Sequence, residues 1–134
     1  MGIELWMVFE AISNKEEAVE ESMDDHVESL KDEDNLEVTE ANFDEVSEMD
    51  QPHPDIDHGY SHVVEVRVEC ETFERAVRTV VNYGPTYVQV EGPDSFELGL
   101  KDSQDSLQFM ASTMQKYAEM GAGGVLVSRS QDEE

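Results

Sequence analysis

Apolar residues along this chain recur at two spacings, and the changes from one spacing to the other outline its elements. Ile3, Leu5, Met7 and Phe9 alternate with Glu4, Trp6, Val8 and Glu10, a period of two that predicts a β-strand. Trp6 and Val8 are apolar as well, so the second face of that strand is expected to be at least half covered. Ser13-Asn14-Lys15-Glu16 then offers an N-cap with a glutamate three residues on, the pattern of a capping box. The helix predicted after it sets Ala18, Val19, Met23, Val27 and Leu30 on one stripe and acids such as Glu17, Glu21 and Asp25 on the other.

Asn35 opens a turn, and Leu36, Val38, Ala41 and Phe43 suggest a second strand. The stretch 44–59 carries two prolines, two histidines and many acids, and reads as a long loop. From Tyr60 to Cys70 the alternation returns: Val64, Val66, Val68 and Cys70 share one face, with Glu65, Arg67 and Glu69 opposite. Thr72 can cap a short helix carrying Phe73, Ala76, Val77, Val80 and Val81, which Gly84-Pro85 ends. Thr86, Val88 and Val90 predict a fourth strand, closed by Gly92-Pro93. A last helix, expected to start near Asp102 or Ser103, aligns Leu107, Met110, Ala111, Met114, Tyr117 and Ala118 before Gly121 stops it.

The order β-α-β-β-α-β-α predicts an α+β fold, a ferredoxin-like βαββαβ antiparallel sandwich with an extra C-terminal helix. The domain is expected over 1–120. Residues 121–134 are a Gly-rich and apolar C-terminal tail, either a short strand or disordered. A sheet of this kind has one face covered by helices and one bare. Trp6, Val8, Tyr60, Val63 and Tyr87 are expected on the bare face, more apolar and aromatic surface than a monomer leaves in water. A homodimer follows as the expected state.

Charge changes the picture of the environment more than of the fold. Thirty-three acids stand against eight Lys and Arg, for a net charge of −25. The acids are spread along the chain and interleaved with periodic apolar residues, although only five follow Asp102. That distribution suits a folded surface at high salt better than a disordered chain: near 1 M the Debye length is about 3 Å, so neighbouring carboxylates hardly repel. The expected setting is the cytoplasm of a halophile, and the acidity is then background rather than a site. The one cysteine, Cys70, excludes an internal disulfide and any multi-cysteine metal centre. Its phase with Val64, Val66 and Val68 predicts a buried, inert thiol. No run of apolar residues reaches membrane-spanning length, and Met1-Gly2-Ile3-Glu4 lacks the basic start of a signal peptide, so a cytoplasmic protein with no membrane partner is expected.

The run Val80-Val81-Asn82-Tyr83-Gly84-Pro85, then Val88-Gln89-Val90-Glu91-Gly92-Pro93, then Leu98, Leu100 and a helix ending Tyr117-Ala118 is similar to the ferredoxin-like C-terminal extension of WYL-domain transcriptional regulators. The resemblance covers 80–118. The chain has no WYL core and no DNA-reading helix, so the resemblance implies a fold and no regulatory role. As a whole the chain resembles a haloarchaeal member of a family of small uncharacterised archaeal proteins, which implies a compartment and a fold but no activity.

Candidate chemistry is sparse. His53, Asp55, Asp57, His58 and His62 offer ligands suited to Zn, Ni or Mn, with His53, His58 and His62 as the metal candidates, although their spacing matches no known metal motif. Gly121-Ala122-Gly123-Gly124 follows a helix, whereas a phosphate cradle precedes one, so it reads as a helix stop. Met110, Met114, Met120, Phe109 and Tyr117 offer either sheet packing or an adaptable partner surface. Basic residues form no patch for phosphates; Arg75 and Arg78, on the exposed side of one short helix, are the only pair. Thirty-three carboxylates single out no acid/base couple, and no Ser-His-Asp spacing stands out. No enzyme and no cofactor are expected. The leading expectation is a non-catalytic homodimer that binds a protein partner, with Trp6, Val8, Tyr60, Val63, Tyr87, Val125, Leu126 and Val127 as the surface. The alternatives are a small-ligand sensor with a pocket at the dimer interface, and an RNA- or ribosome-associated protein using the open sheet face, for which nucleic-acid binding would rest on stacking.

Overall fold

The computed structural model describes residues 2–53 and 56–121, with side chains outside 51–57. The elements run β1 (Ile3–Ser13), α1 (Glu16–Lys31), β2 (Leu36–Phe43), β3 (Ser47–His53), β4 (Ile56–Cys70), α2 (Phe73–Tyr83), β5 (Tyr87–Gly92) and α3 (Leu100–Glu119). The chain divides into two units: Met1–Glu97, with the sheet, α1 and α2, and a second from Leu98 onward that holds α3.

The fold is mixed α+β, as the alternation of periods predicted. Every strand pairing is antiparallel, in the order β2-β4-β1-β5, with β3 folded back on the first part of β4. β1 and β4 are the central strands, and their register explains the core. Leu5 lies opposite Val68, Met7 opposite Val66 and Phe9 opposite Val64, so both apolar sets point to one face. α1 sets Met23, Val27 and Leu30 onto that face and α2 adds Ala76. Cys70 is buried in the same cluster and fully excluded from solvent, as its phase foretold. Burial pushes its thiol up to about 11, so it keeps its proton at neutral pH.

Two local signals are read correctly. Thr72 caps α2 by accepting the Arg75 backbone N–H at 3.0 Å, and Gly84 ends it in the left-handed region at φ 61°, its N–H bonded to the Val80 carbonyl. Thr72→Ala is expected to cost about 0.5–2 kcal/mol of unfolding free energy, measured by urea titration in molar KCl. A loss below that range would mean that solvent replaces the cap.

Three expectations need correction. The stretch 44–59 is no loop: β3 and the first residues of β4 pair there, with Ser47 opposite Ser61 and Met49 opposite Gly59. The prolines, histidines and acids of this stretch hide a strand because pairing with a long neighbour, and not burial, defines it. The capping box at Ser13 does not form. Ser13 stays in β1 opposite Tyr60, and α1 begins at Glu16 behind Lys15 with no side-chain cap. The last helix starts at Leu100, behind Gly99. Among the described residues, no helix is long and apolar enough to cross a membrane.

Candidate functional site

The register that fills the core also decides what the opposite face presents. On β1 this is Glu4, Trp6, Val8 and Glu10; on β4, Val63, Glu65, Arg67 and Glu69; on β5, Tyr87 and Gln89. Val8 sits opposite Tyr87 on one side and Glu65 on the other, and Trp6 lies between Gln89 and Arg67. The Trp6 and Tyr87 rings meet edge to face with centroids 5.5 Å apart. That contact fixes both rings without hiding them, and Tyr87 remains 51% exposed. Trp6 Nε1 donates to Glu65 at 3.3 Å, which ties the indole to β4. Trp6, Val8 and Val63 are half-buried.

Charge rings this apolar centre. Glu4, Glu10, Glu65 and Glu69 lie on the same face of β1 and β4. Arg67 is the one cation of the face among the described strand residues, and it is already engaged. Its Nε donates to Glu91 at 2.9 Å and its Nη1 to Glu40 at 3.5 Å, and the Glu91 bond holds the guanidinium above its ordinary range. Glu91 is the extra residue where the β1–β5 register shifts, which aims its carboxylate across at Arg67. A shallow depression of about 210 Å³ lies beside Arg67 between Glu4, Glu69 and Glu91. Its walls are too acidic for an anion.

Tyr60 is placed differently from its expectation. It lies opposite Ser13, in phase with His62 and Val64, and so belongs to the helix-covered side of β4. The histidines are also kept apart. His58 lies near Glu48 (3.7 Å) and Asp50 (3.4 Å), with its ring against Tyr60. His62 is buried, its Nε2 donating to the Asp44 carbonyl at 2.9 Å beside the Phe43 ring. Four residues of strand separate the two by about 13 Å, too far for one ion. The side chains of His53, Asp55 and Asp57, and all of Val125, Leu126 and Val127, lie outside the described residues. Among those described, no three His, Cys, Asp or Glu side chains gather around a common point.

A polar cluster that sequence reasoning missed joins the ends of the two helices. The Tyr83 hydroxyl donates to Glu33 at 2.6 Å and meets the Ser29 hydroxyl at 3.0 Å. Glu33 also takes Arg75 at 3.2 Å, and His26 Nε2 bonds the Tyr83 carbonyl at 3.0 Å. Arg75 is therefore no solvated cation: only 17% of its side chain is exposed. Burial and the Glu33 carboxylate both raise the Tyr83 phenol, so it holds its proton. With its tyrosine protonated and its carboxylate doubly paired, the cluster clasps α1 to α2. The other members are 4 to 50 positions from Glu33 along the chain, and no periodicity links them.

No curated protein matches the chain. A family model does, over residues 4–134, and by that match the chain belongs to the MJ0538 family.

Proposed function

We propose that this is a non-catalytic interaction protein that acts as a homodimer and receives a protein partner on the bare face of its sheet. The observation that carries the reading is the fixed, solvent-facing Trp6–Tyr87 pair inside a rim of carboxylates. Rigid aromatic side chains are the usual anchors of protein contacts, because they bury much area at little conformational cost. The rim adds the chemistry of the partner: an apolar or aromatic centre surrounded by Lys or Arg. The same rim weighs against the RNA reading, since phosphates would meet Glu4, Glu10, Glu65 and Glu69 while Arg67 is occupied. A ferredoxin-like arrangement is the finer fold reading, supported by the order β2-β4-β1-β5 with α1 and α2 as crossovers. The spread of acids supports a salt-rich cytoplasm as its setting.

The test starts from capture out of a cell extract in molar KCl, with wild-type protein and the double variant Trp6→Ala/Tyr87→Ala as baits. A protein retained by the first and lost by the second is then purified and titrated against the fluorescence of Trp6, the one tryptophan. Tyr87→Ala alone is expected to weaken that binding by about 30-fold or more, the cost of losing an anchor of about 2 kcal/mol. Unchanged affinity would reject the face as the binding surface. Binding of a single-stranded RNA in its place would favour the stacking alternative.

A further inference from the structure

The helix-covered side of the sheet is not wholly covered. Between α2 and β5 an open groove of about 260 Å³ is lined only by apolar side chains, among them Ile3, Leu5, Phe73, Val80, Val88 and Val90. β5 forms the outer wall. Among the described residues it pairs only with β1, so its other edge presents unpaired backbone groups, and Val90 is 64% exposed. We propose that this edge and groove join two copies of the chain, β5 against β5, an inference that rests on the homodimer reading above and locates its joint.

Three observations point to a second copy. The two edges of the sheet differ in how they are defended. β2 carries Glu37 and Glu40 and a register shift between Val38 and Glu40, devices that discourage strand addition. β5 has its register shift at Glu91, its one acid, whose carboxylate Arg67 neutralises, and the stretch 87–90 before it carries no charge and pairs in regular register. Charge gives the second argument. Residues 75–90 contain no carboxylate, in a chain with 33 acids among 134 residues. The cations there are spoken for: Arg75 by Glu33 and Arg78 by Glu74. A surface with neither charge to offer suits an occupant that is itself neutral and apolar, and two chains of net charge −25 can meet there without opposing carboxylates. The third argument is self-complementarity. β5 has the period-two pattern that the groove accepts, with Val88 and Val90 on the groove side and Tyr87 and Gln89 on the bare side. A two-fold axis across antiparallel β5 strands sets the valines of both copies over the two grooves. It also continues the sheet, so the two Trp6–Tyr87 surfaces fall on one shared face and stay free for the partner.

Light scattering of the full chain in molar KCl tests this. The wild type is expected at about twice the chain mass of 15.1 kDa. Val90→Glu and, with the opposite charge, Val90→Lys are both expected to return the mass to that of one chain. Their circular dichroism is expected to be unchanged, because the side chain they replace is exposed. Trp6→Ala, on the other face, is expected to leave the dimer intact. A dimer that survives both Val90 variants overturns the β5 joint, and its loss in Trp6→Ala would move the contact to the bare face while keeping the homodimer reading. A wild-type monomer overturns the joint and the homodimer together, yet leaves partner binding to be judged by its own titration. If that monomer becomes a dimer once residues 122–134 are deleted, the groove belongs to the chain's own C-terminal segment and the proposal fails.

Discussion

Phe9→Ala is expected to lower the unfolding free energy by about 3–5 kcal/mol, the largest loss of any single substitution considered for this chain. Phe9 is 2% exposed and sits on the central strand β1, opposite Val64. Its ring meets the His26 imidazole of α1 edge to face at 4.7 Å, and that imidazole in turn packs on Tyr83 of α2. Truncation therefore removes the buried ring and also leaves a void under the contact between the two helices. Val64 opposite it is paired on both sides, with Phe9 and with Phe43, so that backbone cannot shift to fill such a void and the cavity term adds to the transfer term. Against a total of about 5–15 kcal/mol for a small domain, the variant would be near its folding threshold. Urea unfolding in molar KCl, followed by circular dichroism, gives the measurement. A loss under about 1 kcal/mol would mean that Phe9 is not enclosed by α1.

The second large effect is alkaline. Burial raises the Cys70 thiol from 9.0 to about 11, and this outweighs the lowering by Arg75 and the Thr79 hydroxyl. A group whose folded pKa lies above its unfolded value contributes stability that is fully present below the unfolded pKa. That contribution is lost as pH rises through the folded one. The window is therefore about pH 9 to 11. Two units correspond to about 2.7 kcal/mol, so the expected loss across the window is about 2–3 kcal/mol. Tyr83, also raised, acts in the same direction. Unfolding free energies of the wild type and Cys70→Ala, measured from pH 8 to 11.5 in molar KCl, separate the thiol from other titrating groups. The variant is expected to show the shallower decline. Identical slopes would place the thiol within reach of solvent.

How much of this was legible beforehand depended on how local the cause is. β1 and β4 were legible because burial of one face imposes an alternation that a strand cannot hide, and the α1 stripe was legible for the same reason at helical spacing. The α2 boundaries were legible because a Thr cap and a left-handed Gly act within three or four residues. β3 was not, since no core face imprints its residues. Its strand character comes from lying beside β4. At Ser13 two local preferences competed, and the ladder to Tyr60 prevailed over the cap. Of the candidate surface, Trp6, Val8, Val63 and Tyr87 were legible as one face once the strands were placed. Tyr60 was misplaced because the period of two that sets Val64 on the core face continues unbroken to Tyr60, which therefore shares that face. The cluster of Tyr83, Glu33, Arg75, Ser29 and His26 left no trace in any spacing.

By itself, then, the sequence determined β1, the core part of β4, and the helices α1 and α2, which face of each is apolar, that the thiol is buried, and that the surface is acidic. These follow from interactions between residues a few positions apart, or from solvent acting on each residue alone. The tertiary structure decided which strand stands at each edge, which acids ring Trp6 and Tyr87, which cations are already paired, and where an apolar groove is left open. Those depend on which distant segments become neighbours, and that is set by packing the whole chain at once.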